Sequence, residues 1–402
     1  NQSPLGHWFD PFHILPIDER GNSYALIRQY DALFGSWYTP VTTAFSIKKE
    51  EFISFAISDP ALLHATLAHL AMTFCNPEDM FYHIGQAINL VNKRISDSSH
   101  ESITMETIFA IVCLTSLELR SGSVASIKIH LDGLEALVEG KGGMQSIARD
   151  KIATVLLYWI DMLCSIILDT KPRFKYLNQS SHPDFKKPES NSISGLRYKK
   201  KLFNLTGFQD LSQETTEIFD ELNELIAKKV KVLKLNKMDA TEEDIQNLRI
   251  YIGRFIHRLI ALAQYKVLDI QNQNSLIYRL FGNAALAHVL MFTCGINRRV
   301  CGIHVLTSIS ARIRTSLELV DVRYFQIAYP EMMLWIIMIG GLAGAGAEDQ
   351  GWFARLLGES CCAAGIIGAD ELAISLTGCI WSDSYFLPIF KGFWDDFAAE
   401  QA

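Results

Sequence analysis

Much that would announce an activity is missing from this 402-residue sequence. There is no nucleophile elbow of the Gly-x-Ser-x-Gly type, and no His-Glu-x-x-His helix to hold a catalytic zinc. Positive charge is not in surplus. The formal net charge is −7, so the segment is not expected to grip phosphate backbones by itself. The opening residues, Asn1 to Asp10, carry neither the basic leader nor the apolar stretch of a signal peptide. Clean apolar runs of about 20 residues, which a membrane span requires, are lacking as well. Ile152 to Leu168 is broken by Asp161, and Met332 to Ala347 is short and glycine-rich, so both read as buried helices of a soluble protein with no membrane partner. No Asn-Gly or Asp-Gly turn joins β-branched runs, and no series of short alternating strands is visible.

What is present is a helical period. Phe81, Ile84, Ala87, Ile88, Val91 and Ile95 are spaced by three and four, which predicts one buried helix face. Asn76 is placed to cap that helix, Pro77 suits its first position, and Glu78 and Asp79 complement the positive end of its dipole. A second helix is expected after Thr241, with Asp244 three residues on and Ile245, Leu248, Ile252, Phe255, Leu259 and Leu262 on one face. Met105 to Leu119 and Ile152 to Leu168 are nearly all apolar and predict central helices. The fold class expected is all-α: one large multi-helix domain over 1–402, in two packed helical halves. The halves, 1–171 and 202–402, are joined by a long loop, 172–201, with Pro172, Pro183, Pro188 and the basic run Arg197, Lys199, Lys200, Lys201. That basic run reads as a solvated loop end.

Candidate chemistry fails on spacing. The eight cysteines, at 75, 113, 164, 294, 301, 361, 362 and 379, mostly sit in apolar stretches and form no Cys-x2-Cys arm. A chain this long needs no disulfide staples, so a reducing compartment is expected. Cys294, Cys301 and His304 are too few for a zinc site, and no metal ligand is assigned. Gly140-Lys141-Gly142 lacks the Ser or Thr of a phosphate loop, and Asp349 replaces the third glycine after Gly344 and Gly346. Asp395-Asp396 is an adjacent acid pair without a third acid, short of the aspartate-rich magnesium motif of a helical cyclase. His64, His69, His83 and His130 read as structural histidines on helices. Asp161 is the one suspicious carboxylate. Buried in an apolar helix, it is either a hydrogen-bond hub or a pocket group.

Several segments, in order, resemble the regulatory domain of the fungal binuclear zinc-cluster transcription factors. They are Asp10 to Pro16; Tyr24 to Tyr30; Ser121-Gly122; His130 to Val138 with Lys141-Gly142-Gly143-Met144; Trp159-Ile160-Asp161 with Lys171-Pro172-Arg173-Phe174; and Trp335, Gly340-Gly341, Trp352-Phe353, Trp381-Ser382-Asp383 and Trp394. Gly142-Gly143 is a natural helix C-cap and Pro172 a natural helix stop.

The resemblance implies a nuclear regulatory domain, shuttling with the cytoplasm, that is not an enzyme and uses no cofactor. DNA is then reached only through a zinc-cluster region, which does not precede Asp10 in this sequence. Small hydrophobic ligands are among the partners the resemblance implies; a homodimer or a coactivator, held through exposed apolar helices, is the alternative expected. For an apolar ligand, the expected site is the glycine-rich C-terminal segment. There Gly340, Gly341, Gly344 and Gly346 remove bulk beside Trp335, Met338, Trp352 and Phe353. The competing reading is a protein-interaction scaffold without ligand, and a helical enzyme is the remote third.

Overall fold

The computed structural model describes residues 15–17, 22–37, 49–97, 103–174, 215–226, 242–264, 273–296, 303–376, 380 and 394, and the statements below concern those residues. Residues 175–201 of the expected loop lie outside them, as do the segment 10–14, Thr241, Arg298, Arg299, Cys301, Cys379, the segment 381–383 and Asp395-Asp396.

Helices account for the regular structure, and no strand occurs among the described residues. In chain order they are α1 (Ser23–Trp37), α2 (Lys49–Ile57), α3 (Pro60–Thr73), α4 (Pro77–Ser96), α5 (Met105–Ser121), α6 (Val124–Gly140), the single turn α7 (Met144–Ile147) and α8 (Lys151–Leu168). After the expected loop come α9, described over residues 215–226, α10 (Glu242–Ala263) and α11 (Gln273–His288), which runs on as a π-helical turn, Val289–Thr293. The C-terminal part holds α12 (Ile303–Leu319), α13 (Val322–Ala328), α14 (Pro330–Ala343), α15 (Asp349–Ala364) and α16 (Ala369–Leu376).

The helix ends follow local chemistry. Asn76 Oδ1 accepts the Asp79 amide at 3.2 Å, with Pro77 opening α4 and Glu78 and Asp79 in its first turn. Asp59 caps α3 by accepting the Leu62 amide at 2.9 Å, and Arg94 of α4 pairs with the same carboxylate at 2.6 Å. That ties the start of α3 to the end of α4. At the end of α6, Gly142 and Gly143 both take left-handed backbone (φ 92° and 79°), and the Gly143 amide closes on the Val138 carbonyl at 2.9 Å. Gly122 ends α5 at φ 76°. A Cβ there would also lie 2.8 Å from the His304 ring of α12, so this turn admits only glycine on two independent grounds.

α3 packs between α4 and α5, α5 lies against α6 and α8, and α12 bridges α8, α11 and α14, which in turn carries α15. One apolar core runs from Ala56 to Ile380, so the described helices on both sides of the 172–201 segment share it. A smaller cluster, around Leu26, Tyr30, Leu63 and Leu67, seals α1 onto α3. Every residue of α14 from Met332 to Ala343 is buried. One helical stretch, Ser275–Thr293, is long and apolar enough to cross a membrane, but 89% of it is buried inside the fold, as in a core helix.

The face expected of α4 needs correction. Ala87 and Val91 do point inward, together with His83, whereas Phe81, Ile88 and Ile95 are 67%, 37% and 48% exposed. The apolar positions of this helix cover more than one face, and packing against α3 selects the side that carries the small residue Ala87.

Candidate functional site at the exit of helix α8

The glycine-rich segment occupies α14, the turn after it and the start of α15. Trp335 and Met338 are fully buried. The Trp335 ring faces α11, with ring centroids 6.0 Å from Phe281 and 6.0 Å from His288. Its Nε1 is buried with no hydrogen-bond partner among the described residues. Gly340 stands five positions further, about 140° around the helix, and faces a different neighbour. A Cβ on Gly340 would lie 2.5 Å from the Phe353 ring and 3.2 Å from Ile313. One on Gly344 would collide with Ser310 Oγ of α12, whose hydroxyl donates to the Gly340 carbonyl at 2.8 Å. Gly341 is buried within α14. Gly346 sits in the exposed turn at φ 71°, and its amide donates to the Gln350 side chain. Trp352 meets Phe353 edge-on at 5.0 Å and lies under the Arg314 guanidinium at 5.4 Å. The structure therefore brings Gly340, Gly344, Trp352 and Phe353 together, with Trp335 turned to the other side. The room released by Gly340 and Gly344 is taken up by Phe353 and Ser310.

A polar junction forms where α8 ends. Asp161, 1% exposed, accepts the Arg173 amide at 3.1 Å and the Phe174 amide at 2.8 Å. It is thus a hydrogen-bond hub, linking the aspartate helix to the Pro-Arg-Phe exit twelve residues on. Burial pushes its pKa up to about 6, against the pull of those two amides and of Arg173. The Arg173 side chain turns to α6 and pairs with Asp132 at 2.6 Å and Glu135 at 2.7 Å.

Carbonyls at the end of α8 and in the turn after it are met by side chains remote in sequence. Gln264, just past α10, donates to Ser165 O at 3.0 Å and Thr170 O at 2.6 Å. Arg312 of α12 donates to Ile166 O at 2.9 Å and pairs with Asp169 at 2.9 Å. Asp169 itself takes a left-handed backbone, φ 50°, that turns the chain out of the helix. Beside the hub is a cavity of about 10 Å³, lined in part by Tyr158, Asp161, Gly253 and His257. It has room for roughly one water. Four parts of the chain (α6, α8, α10 and α12) meet here through hydrogen bonds and ion pairs.

Sequence reasoning singled out Asp161 but missed Gln264, Arg312 and the Arg173 pairs. Polar residues at the ends and flanks of helices carry no periodic signal, so nothing local marks them.

The histidines act structurally. His64 Nδ1 and His83 Nδ1 stand 2.9 Å apart, so one must donate and the other accept. His69 Nε2 donates to the Cys113 carbonyl at 2.8 Å, and burial lowers its pKa to about 4. Burial lowers the pKa of His130 and His257 too. It raises the Cys113 thiol to about 12 and Cys361 to about 11, which makes them poor nucleophiles. Among the described residues no three His, Cys, Asp or Glu side chains come close enough to hold a metal ion.

Compared with known families, residues 28–369 match the profile described as fungal specific transcription factor domain. No curated protein and no solved structure matches the chain.

Proposed function

The chain belongs to the fungal specific transcription factor domain family, a family of regulatory domains and not of enzymes, and on that premise we propose that it senses a ligand or partner and passes its state to a DNA-binding zinc-cluster region. In this reading 1–402 is one domain whose halves, 1–171 and 202–402, meet at the α8 exit, and it works in the nucleus with shuttling to the cytoplasm. The observation that carries it is the family match over 28–369. The polar junction gives the signal a physical route. Hydrogen bonds to exposed or partly buried groups contribute about 1 kcal/mol each, so a few of them can be exchanged by the differential binding of a partner.

Two forms of input compete. In the first, a small apolar molecule binds among Trp335, Met338, Gly340, Gly341, Gly344, Gly346, Trp352 and Phe353. It would have to displace the Phe353 ring from Gly340. In the second, the domain docks protein partners and has no ligand. The filling of the glycine face by Phe353 and Ser310 supports the second. Native mass spectrometry of the protein purified from its host separates them. A bound mass lost on denaturation supports the ligand form. A clean chain mass, with partners recovered instead, supports the docking form. If neither appears, sensing through this domain is refuted.

A further inference from the structure

Arg312 of α12 uses only one edge of its guanidinium. Nη1 donates to the Ile166 carbonyl and to the Asp169 carboxylate, each at 2.9 Å. Nε and Nη2 stand side by side on the other edge, and both are buried with no hydrogen-bond partner. A second guanidinium is close by on α11, the helix packed against α12. Arg279 has its Nε buried without a partner as well, and among the described residues no hydrogen bond or ion pair reaches its side chain. Burial lowers the Arg312 pKa, Asp169 draws it up, and the charge of Arg279 pushes it down. Buried donors in folded proteins are nearly always answered, and buried charges need pairing. Asp169 sets one negative charge against two positive ones, and 52% of its side chain is exposed, so it is shared with solvent.

We propose that the Arg279–Arg312 pair is a binding site for a small oxyanion, a phosphate or a carboxylate. The free fork of Arg312, Nε and Nη2, matches two oxygens of one such group in a bidentate contact. Arg279 supplies the second positive charge, while Asp169 stays on Nη1 at the opposite edge. The fork is held in place before any ion arrives, because the Arg312 side chain is only 11% exposed and is anchored to the end of α8. The ion enters from the rim, where Asp169 and Thr170 are exposed and Arg279 is partly buried, and the long Arg279 side chain swings aside to admit it. Binding draws on the same guanidinium that ties α12 to α8, so occupancy of the site is linked to the state of that junction. The site goes beyond the two forms of input above. Its test reads ion binding alone, and its failure leaves the transcriptional reading standing.

The test is isothermal titration calorimetry of the full chain with sodium phosphate and, separately, sodium acetate, at constant ionic strength made up with chloride. The wild type is expected to bind at least one of them with a dissociation constant on the order of 1 mM. Whichever binds more tightly gives the source of the oxyanion, a phosphoryl or a carboxyl group. Arg312→Lys keeps the charge but loses the fork, and Arg279→Gln loses the charge at a partly buried position. Each is expected to weaken binding about ten-fold. Asp169→Asn removes the competing carboxylate and is expected to strengthen binding about three-fold. Arg323→Gln, at an exposed arginine on α13, is expected to bind as the wild type does. Thermal melting checks that each variant is folded, and Arg279→Gln, which breaks no hydrogen bond, carries the test if Arg312→Lys is not. No binding of either ion up to about 20 mM overturns the proposal. So does binding that is unchanged in Arg279→Gln, or weakened equally in Arg323→Gln.

Discussion

The α14–α15 pair and the α8 exit are both buried, and they are held by opposite means. In the first, neighbouring side chains fill the space beside glycines, with the Phe353 ring over Gly340 and Ser310 of α12 against Gly344. In the second, a carboxylate, an amide and one guanidinium group answer backbone groups at the end of a helix and in the turn beyond it. Close apolar packing has few alternative arrangements and resists partial change. Polar contacts can be exchanged one at a time for water or for a partner's groups. The difference suggests a division of labour, with α14–α15 as rigid scaffold and the α8 exit as the place where a change of state is cheapest.

The largest effect expected on this comparison comes from its apolar side. Phe353→Ala should cost about 4 kcal/mol in urea unfolding, because it removes a fully buried ring. Gly340→Ala alone should cost about 2 to 3 kcal/mol through collision with that ring. Combined, the two should cost less than their sum, since each relieves the fault of the other. Strict additivity would show that Phe353 and Gly340 do not share the space assigned to them.

Next is Asp161→Ala, which strands the Arg173 and Phe174 amides and should cost about 3 kcal/mol. The pH dependence of this site has a definite sign. The folded carboxyl holds its proton up to about 6, against a free value of 3.8. The contribution is therefore full below about pH 4 and lost as pH rises through 6. Asp161→Asn should remove that slope from urea midpoints measured between pH 4 and 7.

His69 has the reverse sign. Its pKa falls from 6.5 to about 4, so its contribution is present above pH 6.5 and lost on acidification through pH 4. The loss is on the order of 3 kcal/mol. His69→Gln should flatten that acid limb, and an unchanged limb would place the acid sensitivity elsewhere. Smallest on this scale is Gln264→Ala, at about 1 kcal/mol, because it removes two carbonyl contacts of which one is exposed. A loss as large as that of Phe353→Ala would remove the distinction between rigid and adjustable regions.

How far the sequence revealed this depends on whether the signal was local. The ends of α4 and α6 were legible, because Asn76-Pro77-Glu78-Asp79 and Gly142-Gly143 carry their capping chemistry within a few residues. The inward face of α4 was not. Its apolar residues spread round the helix, and only contact with α3 decides that Ala87 and Val91 go in while Ile88 stays out. Asp161 was visible as a charge in an apolar run, but its partners lie twelve and thirteen residues on, beyond the turn at Asp169. Arg312 and Gln264 reach α8 from helices about a hundred residues or more away, and nothing in their own neighbourhoods announces it. The glycines of α14 show the converse ambiguity. Missing side chains beside large ones signal close approach, and the sequence does not say whether a ligand or a neighbouring helix approaches.

The central claim is that the α8 exit, and not the α14–α15 pair, carries the domain's state to transcription. It is tested most directly by tethering the full chain to an unrelated DNA-binding domain and measuring reporter output. Arg312→Met at the exit is to be compared with Ile337→Val in buried α14, each of them costing about 1 kcal/mol. The account predicts that Arg312→Met changes output about five-fold or more while Ile337→Val leaves it at the wild-type level. Equal effects of the two substitutions, or none from Arg312→Met, would contradict it.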